Sequence, residues 1–109
     1  SEGEMSGRPE LLLVTGAAGG IGAAIVRAAV AAGWAVRAVD VREPDAALRE
    51  SAGPAVDWCV ADVTAAAGVE HAFDCGRTPA AVVNNAGIVQ FSRLADLAHF
   101  AVQVAPLAA

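Results

Sequence analysis

The sequence predicts an α/β fold, a doubly wound parallel sheet with helices on both faces. Three observations predict it. Short apolar runs alternate with segments of helical period along the 109 residues, an order that implies right-handed crossovers between parallel strands. The first run, Leu11–Thr15, carries apolar side chains on both faces, as a strand does when helices cover it from both sides. Glycines, acids and amides collect where the runs end, and ligands of such sheets sit beyond the carboxyl ends of the strands.

In chain order, residues 1–10 contain Gly3, Gly7 and Pro9 and no apolar period, so they read as a flexible arm ahead of one partial domain over 11–109. The strand Leu11–Thr15 runs straight into a glycine-rich turn. A helix follows from Ala23 to Ala32, with apolar positions expected at Ile21, Ala24, Ile25 and Ala28 and a stop at Gly33. A second strand over 34–40 ends on Asp40. Asp45 supplies an oxygen to cap a short helix through Ser51, which Gly53 and Pro54 break. A third strand over 56–61 leads into Asp62 and Val63. Thr64 is expected to cap a helix reaching Cys75, with Gly68 weakening its start. A fourth strand over 80–83 ends in Asn84, Asn85, Ala86 and Gly87. From Leu94 the apolar residues Leu94, Leu97, Phe100 and Val104 predict a further helix, bent or ended by Pro106.

Composition excludes several function classes. At 109 residues the chain has room for one domain, and with 56% hydrophobic and 17% charged residues it can bury a core. A net charge of −5 argues against a nucleic-acid partner, because phosphate backbones recruit basic surfaces. No apolar run approaches the roughly 18 residues of a membrane helix, so no membrane partner is expected. The acidic, polar start is unlike a secretory leader. Cys59 and Cys75 have no metal-ligand spacing and read as reduced thiols of a cytoplasmic protein. The chain contains no Tyr, and all seven of its basic residues are Arg, so it contains no Lys.

The chemistry concentrates in the turn after the first strand. Gly16, Gly20 and Gly22 follow Thr15 in a Gly-x-x-x-Gly-x-Gly pattern, with Gly19 between them. Glycines let backbone amides approach a phosphate that a Cβ would hold off, and the helix behind them points its free amides and positive dipole end at the anion. The pattern differs from the commoner Gly-x-Gly-x-x-Gly spacing and from a P-loop. A glycine turn can also be no more than a tight connection. Asp40 follows Gly22 by about the ~20 residues at which an acid holds an adenosine ribose in dinucleotide sites. A carboxylate there repels a 2′-phosphate and favours NAD over NADP. Arg42 pulls the other way, and a solvated turn acid is the bland alternative.

Thr15-Gly16-Ala17-Ala18-Gly19-Gly20-Ile21-Gly22, Asp40, Asp62-Val63 and Asn84-Asn85-Ala86-Gly87 together resemble the short-chain dehydrogenase/reductase family, in the family's order and spacing. The glycine spacing is similar to the shorter branch of that family and differs from the extended, epimerase-like branch. The resemblance implies a Rossmann-like sheet in the order 3-2-1-4 and an NAD-dependent oxidoreductase acting on a hydroxyl or carbonyl group of a small molecule. It implies that Gly16, Gly19, Gly20, Ile21 and Gly22 wrap the pyrophosphate. By the same resemblance Asp40 holds the ribose, Asp62 and the Val63 backbone contact adenine, and Asn85, Ala86 and Gly87 line the wall beside the ribose, with Asn84 bracing the strands. The bland reading of the two asparagines is a pair of turn formers.

The chain departs from the family where proton transfer happens. The family uses a Tyr acid/base, a Lys that lowers its pKa and a Ser that orients the carbonyl. Neither Tyr nor Lys occurs in this chain, and Ser92 comes too early to match the family's Ser. His71 and His99 read as solvated helix residues, and Val104 and Ala105 stand where the family's helical Asn would fall. No catalytic residue is therefore assigned. The expectation is the dinucleotide-binding part of such an enzyme, truncated after its fourth strand; the alternatives are a non-catalytic NAD-binding module and a degenerate remnant. A fourth strand left as an open edge invites association, so a homo-oligomer is expected.

Overall fold

The computed structural model describes residues 8–86. The expectations for residues 1–7, Gly87, Ser92, His99 and the helix from Leu94 lie outside the described residues. Four parallel strands, β1 (Leu11–Thr15), β2 (Ala35–Asp40), β3 (Val56–Val60) and β4 (Ala81–Asn84), form one sheet in the order β3-β2-β1-β4. Three helices connect them: α1 (Gly20–Ala31), α2 (Ala46–Ala52) and α3 (Ala66–Phe73). The register aligns Leu12 with Val36 on one side and Ala81 on the other, and Val36 with Val56. This is the expected strand order, and each strand lies within one residue of its expected bounds.

Alternation along the strands divides the core in two. Leu12 and Val14 of β1 join Val36 and Ala38 of β2 against Val26 and Ala29 of α1. Leu13, Val39 and Cys59 point the other way and pack with Ala72 of α3 and Val82. All five residues of β1 are buried, as the apolar character of both its faces requires. Burial raises the Cys59 thiol above its ordinary pKa, against a smaller opposing effect of Arg37. Cys59 is thus an inert core side chain.

The helix after the glycine turn starts earlier and faces the sheet differently from expectation. It begins at Gly20, and its buried residues are Gly22, Ala23, Val26 and Ala29; of the expected positions Ile25 is partly buried against the core, while Ile21, Ala24 and Ala28 are exposed. Ile21 is left 58% exposed. The reason is the contact at Gly22. A Cβ built there would fall inside the Gly16 carbonyl and 2.8 Å from Asn85 Nδ2, so the bare face of the helix is the one that can dock. Gly33, at φ +96°, follows the end of the helix as expected.

Asp45 caps α2 as expected, accepting from the Leu48 amide at 2.8 Å. The expected Thr64 cap is not made. α3 begins at Ala66 behind Ala65, with no side-chain cap, and stops at Phe73 instead of reaching Cys75. The Thr64 hydroxyl donates instead to Asp62 Oδ1 at 2.6 Å. Gly68, expected only to weaken the helix, is required by position, because a Cβ there would overlap the Asp62 carbonyl.

Arg37 is the charged residue that strand periodicity does not explain. It is buried in the middle of β2 and faces α3. Burying an unpartnered guanidinium costs several kcal/mol, but this one is satisfied. Nε donates to the Ala72 carbonyl at 3.0 Å and Nη2 to the His71 carbonyl at 3.0 Å and that of Asp74 at 3.5 Å. Nη1 pairs with Asp57 at 2.6 Å, whose side chain is 63% exposed. A pair with so exposed a partner contributes at most about 1 kcal/mol. The carbonyls at the negative end of α3 supply most of the compensation.

Two glycine substitutions should move stability in different ways. Gly22→Ala is expected to lose about 1–3 kcal/mol of unfolding free energy through overpacking, net of helix propensity. Gly20→Ala, with nothing within 4 Å of its Cβ position, is expected to stay within about 0.5 kcal/mol. Urea denaturation of both variants reads the difference; equal stabilities would remove the close contact as the constraint on α1.

Candidate functional site

The polar residues buried in the sheet mark the site. Among the described residues the buried polar side chains are Thr15, Arg37, Asp40 and Asn85. Arg37 serves α3. The other three stand at or just past the carboxyl ends of β1, β2 and β4, where the strand order reverses between β1 and β4.

The turn leaving β1 is built for close approach. Gly16 has φ +65°, in the left-handed region, and a Cβ there would sit 3.0 Å from the Ala86 backbone and Asn85 Nδ2. The Ala17 amide donates to the Val39 carbonyl at 3.1 Å, tying the turn to β2. At Gly19, the N-cap of α1, no side chain caps the helix, and the first turn carries no acid. The positive end of the α1 dipole is thus left to face a ligand.

Asp40 closes the neighbouring side. Its Oδ2 accepts from the Ala18 amide and its Oδ1 from the Arg42 amide, both at 2.9 Å. Bonds of this charge-assisted kind contribute about 1.5–3 kcal/mol each. The Arg42 guanidinium lies farther off, Nε 3.7 Å from Oδ1, on a side chain that is 68% exposed. The two amides, more than the Arg, hold the carboxylate in place.

On the β4 side, the Thr15 hydroxyl donates to Asn84 Oδ1 at 2.6 Å and accepts from the Ala86 amide at 3.2 Å. Asn85 Nδ2 donates to the Gly16 carbonyl at 3.1 Å. Its Oδ1 is buried with no hydrogen-bond partner among the described residues, an uncompensated acceptor in a wall of the site. Beyond β3, Asp62 Oδ1 accepts from both the hydroxyl and the amide of Thr64. The Thr64 hydroxyl first, and its amide second, hold the Asp62 carboxyl below its ordinary pKa.

These parts enclose a cavity of about 320 Å³, within the ~300–1,000 Å³ of small-molecule sites. Its lining brings together Gly16, Gly19, Gly20, Ile21, Asp40, Asp62, Val63, Asn85 and Ala86, all singled out in the sequence. Gly22 is not on the lining; it lies beneath the turn, against Gly16. Asn84 also stays off the lining, bonded to Thr15 across β1 and β4. Val39, Val41, Arg42, Ala61 and Thr64 complete the walls. Sequence reasoning assigned no role to Thr15 or Arg37 and gave Thr64 the wrong one. The Asp-x-Thr spacing was the one available sign of the turn at Asp62. His71 is exposed on α3 and does not line the cavity. Among the described residues no group of three His, Cys, Asp or Glu could hold a metal ion, and no helix is long and apolar enough to cross a membrane.

Comparison with known proteins bears on the same residues. The sequence model of the family described as short chain dehydrogenase matches residues 10–104. Among solved structures, the chain is similar to a short-chain dehydrogenase from Leptospira borgpetersenii serovar Hardjo-bovis (strain JB197) with bound NAD+. The two are 26% identical, with a TM-score of 0.61 over 81% of this chain and 35% of that one. It is also similar to a UDP-galactose 4-epimerase, at 27% identity and a TM-score of 0.51, over 68% of this chain and 23% of that one. The chain therefore spans about a third of the first structure and under a quarter of the second. No curated protein matches it significantly.

The Asp62 turn should be sensitive to acid. Its folded pKa is depressed, so its contribution is complete above the ordinary Asp value of about 3.9 and is lost as pH falls through the lowered value. Thr64→Val is expected to return the carboxyl toward ~3.9 in a carbon-detected NMR titration. An unmoved titration would show that Thr64 does not hold it.

Proposed function

The chain belongs to the short-chain dehydrogenase family, and from that premise we propose that it binds a nicotinamide dinucleotide in the cavity at the carboxyl ends of its strands. It does so as the cofactor-binding part of an oxidoreductase acting on a hydroxyl or carbonyl group of a small molecule. The observation that carries this reading is the pairing of a glycine turn on the cavity lining, Gly16, Gly19 and Gly20 before the uncapped end of α1, with a buried carboxylate one strand away at Asp40. A dinucleotide fits such a pair, offering a diphosphate to the first and a ribose diol to the second.

The residues present suit that ligand. Gly16, Gly19, Gly20 and Ile21 present backbone to the pyrophosphate, in front of an uncapped helix. Each Asp40 oxygen accepts one amide, which leaves lone pairs for ribose hydroxyls. Asp62 and Val63 line the adenine side. Asn85 and Ala86 stand beside the ribose, with Gly87 next in the chain. The solved relative with bound NAD+ supports the cofactor class. The anionic Asp40 favours NAD; Arg42, exposed beside it, leaves room for NADP at lower affinity. When bound, the nicotinamide supplies or accepts a hydride at the reacting carbon. The cavity residues orient the dinucleotide, and the 109 residues bring no phenol or lysine for the accompanying proton. The free cysteines among the described residues support a cytoplasmic setting, and a homo-oligomer fits the family reading.

NAD is expected to raise the melting temperature of the chain, by a stabilisation of about 2.7 kcal/mol at a hundredfold excess over Kd. Asp40→Ala should weaken NAD binding and narrow its advantage over NADP. A melting temperature indifferent to both nucleotides would defeat the proposal. Reduction of NAD by the chain with any alcohol would show that the proton-transfer group is present after all.

A further inference from the structure

We infer that Arg37 is a positioning residue for the adenosine side of the cavity and acts on it through α3; the inference rests on the dinucleotide reading of that cavity. Arg37 touches nothing in the cavity. It holds the far end of the helix whose near end presses on the cavity wall.

Two sets of contacts make the linkage. At its carboxyl end α3 gives the carbonyls of His71 and Ala72, and the following Asp74, to the Arg37 guanidinium. Toward its amino end Gly68 lies against the backbone of Asp62 so closely that a Cβ would overlap the Asp62 carbonyl. Asp62, Val63 and Thr64 are the cavity wall on that side. A shift of α3 therefore meets the wall directly.

Among the described residues little else holds α3. Ala72 is its single buried residue, and no side chain caps its start. One buried methyl group gives a short helix little apolar anchorage, so the bonds from Arg37 set where it sits. A planar guanidinium can serve several carbonyls at once, which a lysine ammonium on a flexible stem does less well. The glycine turn is held separately, by the Val39 carbonyl, Asp40 and Asn85. Loosening α3 should thus disturb the adenosine side and leave the phosphate cradle in place.

Calorimetric titration with ADP and with inorganic pyrophosphate separates the two sides. Arg37→Met and Gly68→Ala, which disturb opposite ends of the same helix, are each expected to weaken ADP binding roughly tenfold and leave pyrophosphate within about twofold. Combined, they should cost little more than the larger single loss, as coupled positions do. If Arg37→Met does not fold, Arg37→Lys carries the measurement, since it keeps the charge beside Asp57. Undiminished ADP binding in the variants overturns the role of Arg37. So does a parallel loss of ADP and pyrophosphate, which would mark a purely structural residue. Failure of the unaltered chain to bind either ligand overturns the reading of the cavity itself, and this assignment with it.

Discussion

The contact between Gly22 and the Gly16 carbonyl organises the rest of the structure. Two backbones approach there with no room for a single methyl group, and Asn85 Nδ2 reaches the same carbonyl from the β4 side. That approach brings α1 down onto the sheet, turns its bare face inward and leaves its uncapped end open above the turn. The same geometry that packs the helix therefore exposes its positive end. Packing at Gly16 and Gly22 and the open end of the helix thus follow from one constraint.

Around that point, apolar side chains such as Ile21, Val41 and Val63 line the cavity, and polar bonds hold its walls in place. Thr15 ties Asn84 and Ala86 to β1, Asp40 ties the turn to the end of β2, and Asp62 ties down Thr64. Each bond lies at the carboxyl ends of the strands or in the segments that follow them. Bonds of this kind cost little to form where the sheet already holds their ends close, and they give the walls one arrangement. Asn85 Oδ1 is the exception, a buried acceptor with no hydrogen-bond partner among the described residues. An unsatisfied buried acceptor is destabilising.

Arg37 shows the same economy on the other face of the sheet. A short helix with one buried residue is held at its end by a cation from the central part of β2. The arrangement joins the α3 side of the core to the loop at Asp62, so the two layers meet at the cavity as well as through the strands.

Much of this was legible in the sequence. The alternation of runs predicted the strands and helices, the glycine and acid positions predicted where the cavity lies, and Asp45 announced its own cap, because each of these depends on residues close together in the chain. The alanine-rich α1 is apolar on most sides, so its period does not say which side faces the sheet; the contact at Gly22 does. Likewise nothing near Arg37 in the sequence identifies carbonyls more than thirty residues away as its partners, and nothing near Gly68 shows the Asp62 carbonyl against it. Local propensity and spacing determined the elements and most of the residues that line the cavity. Orientation, the anchoring of α3 and the orphaned oxygen of Asn85 were decided by the tertiary structure, because they are contacts between segments that only the folded sheet brings together.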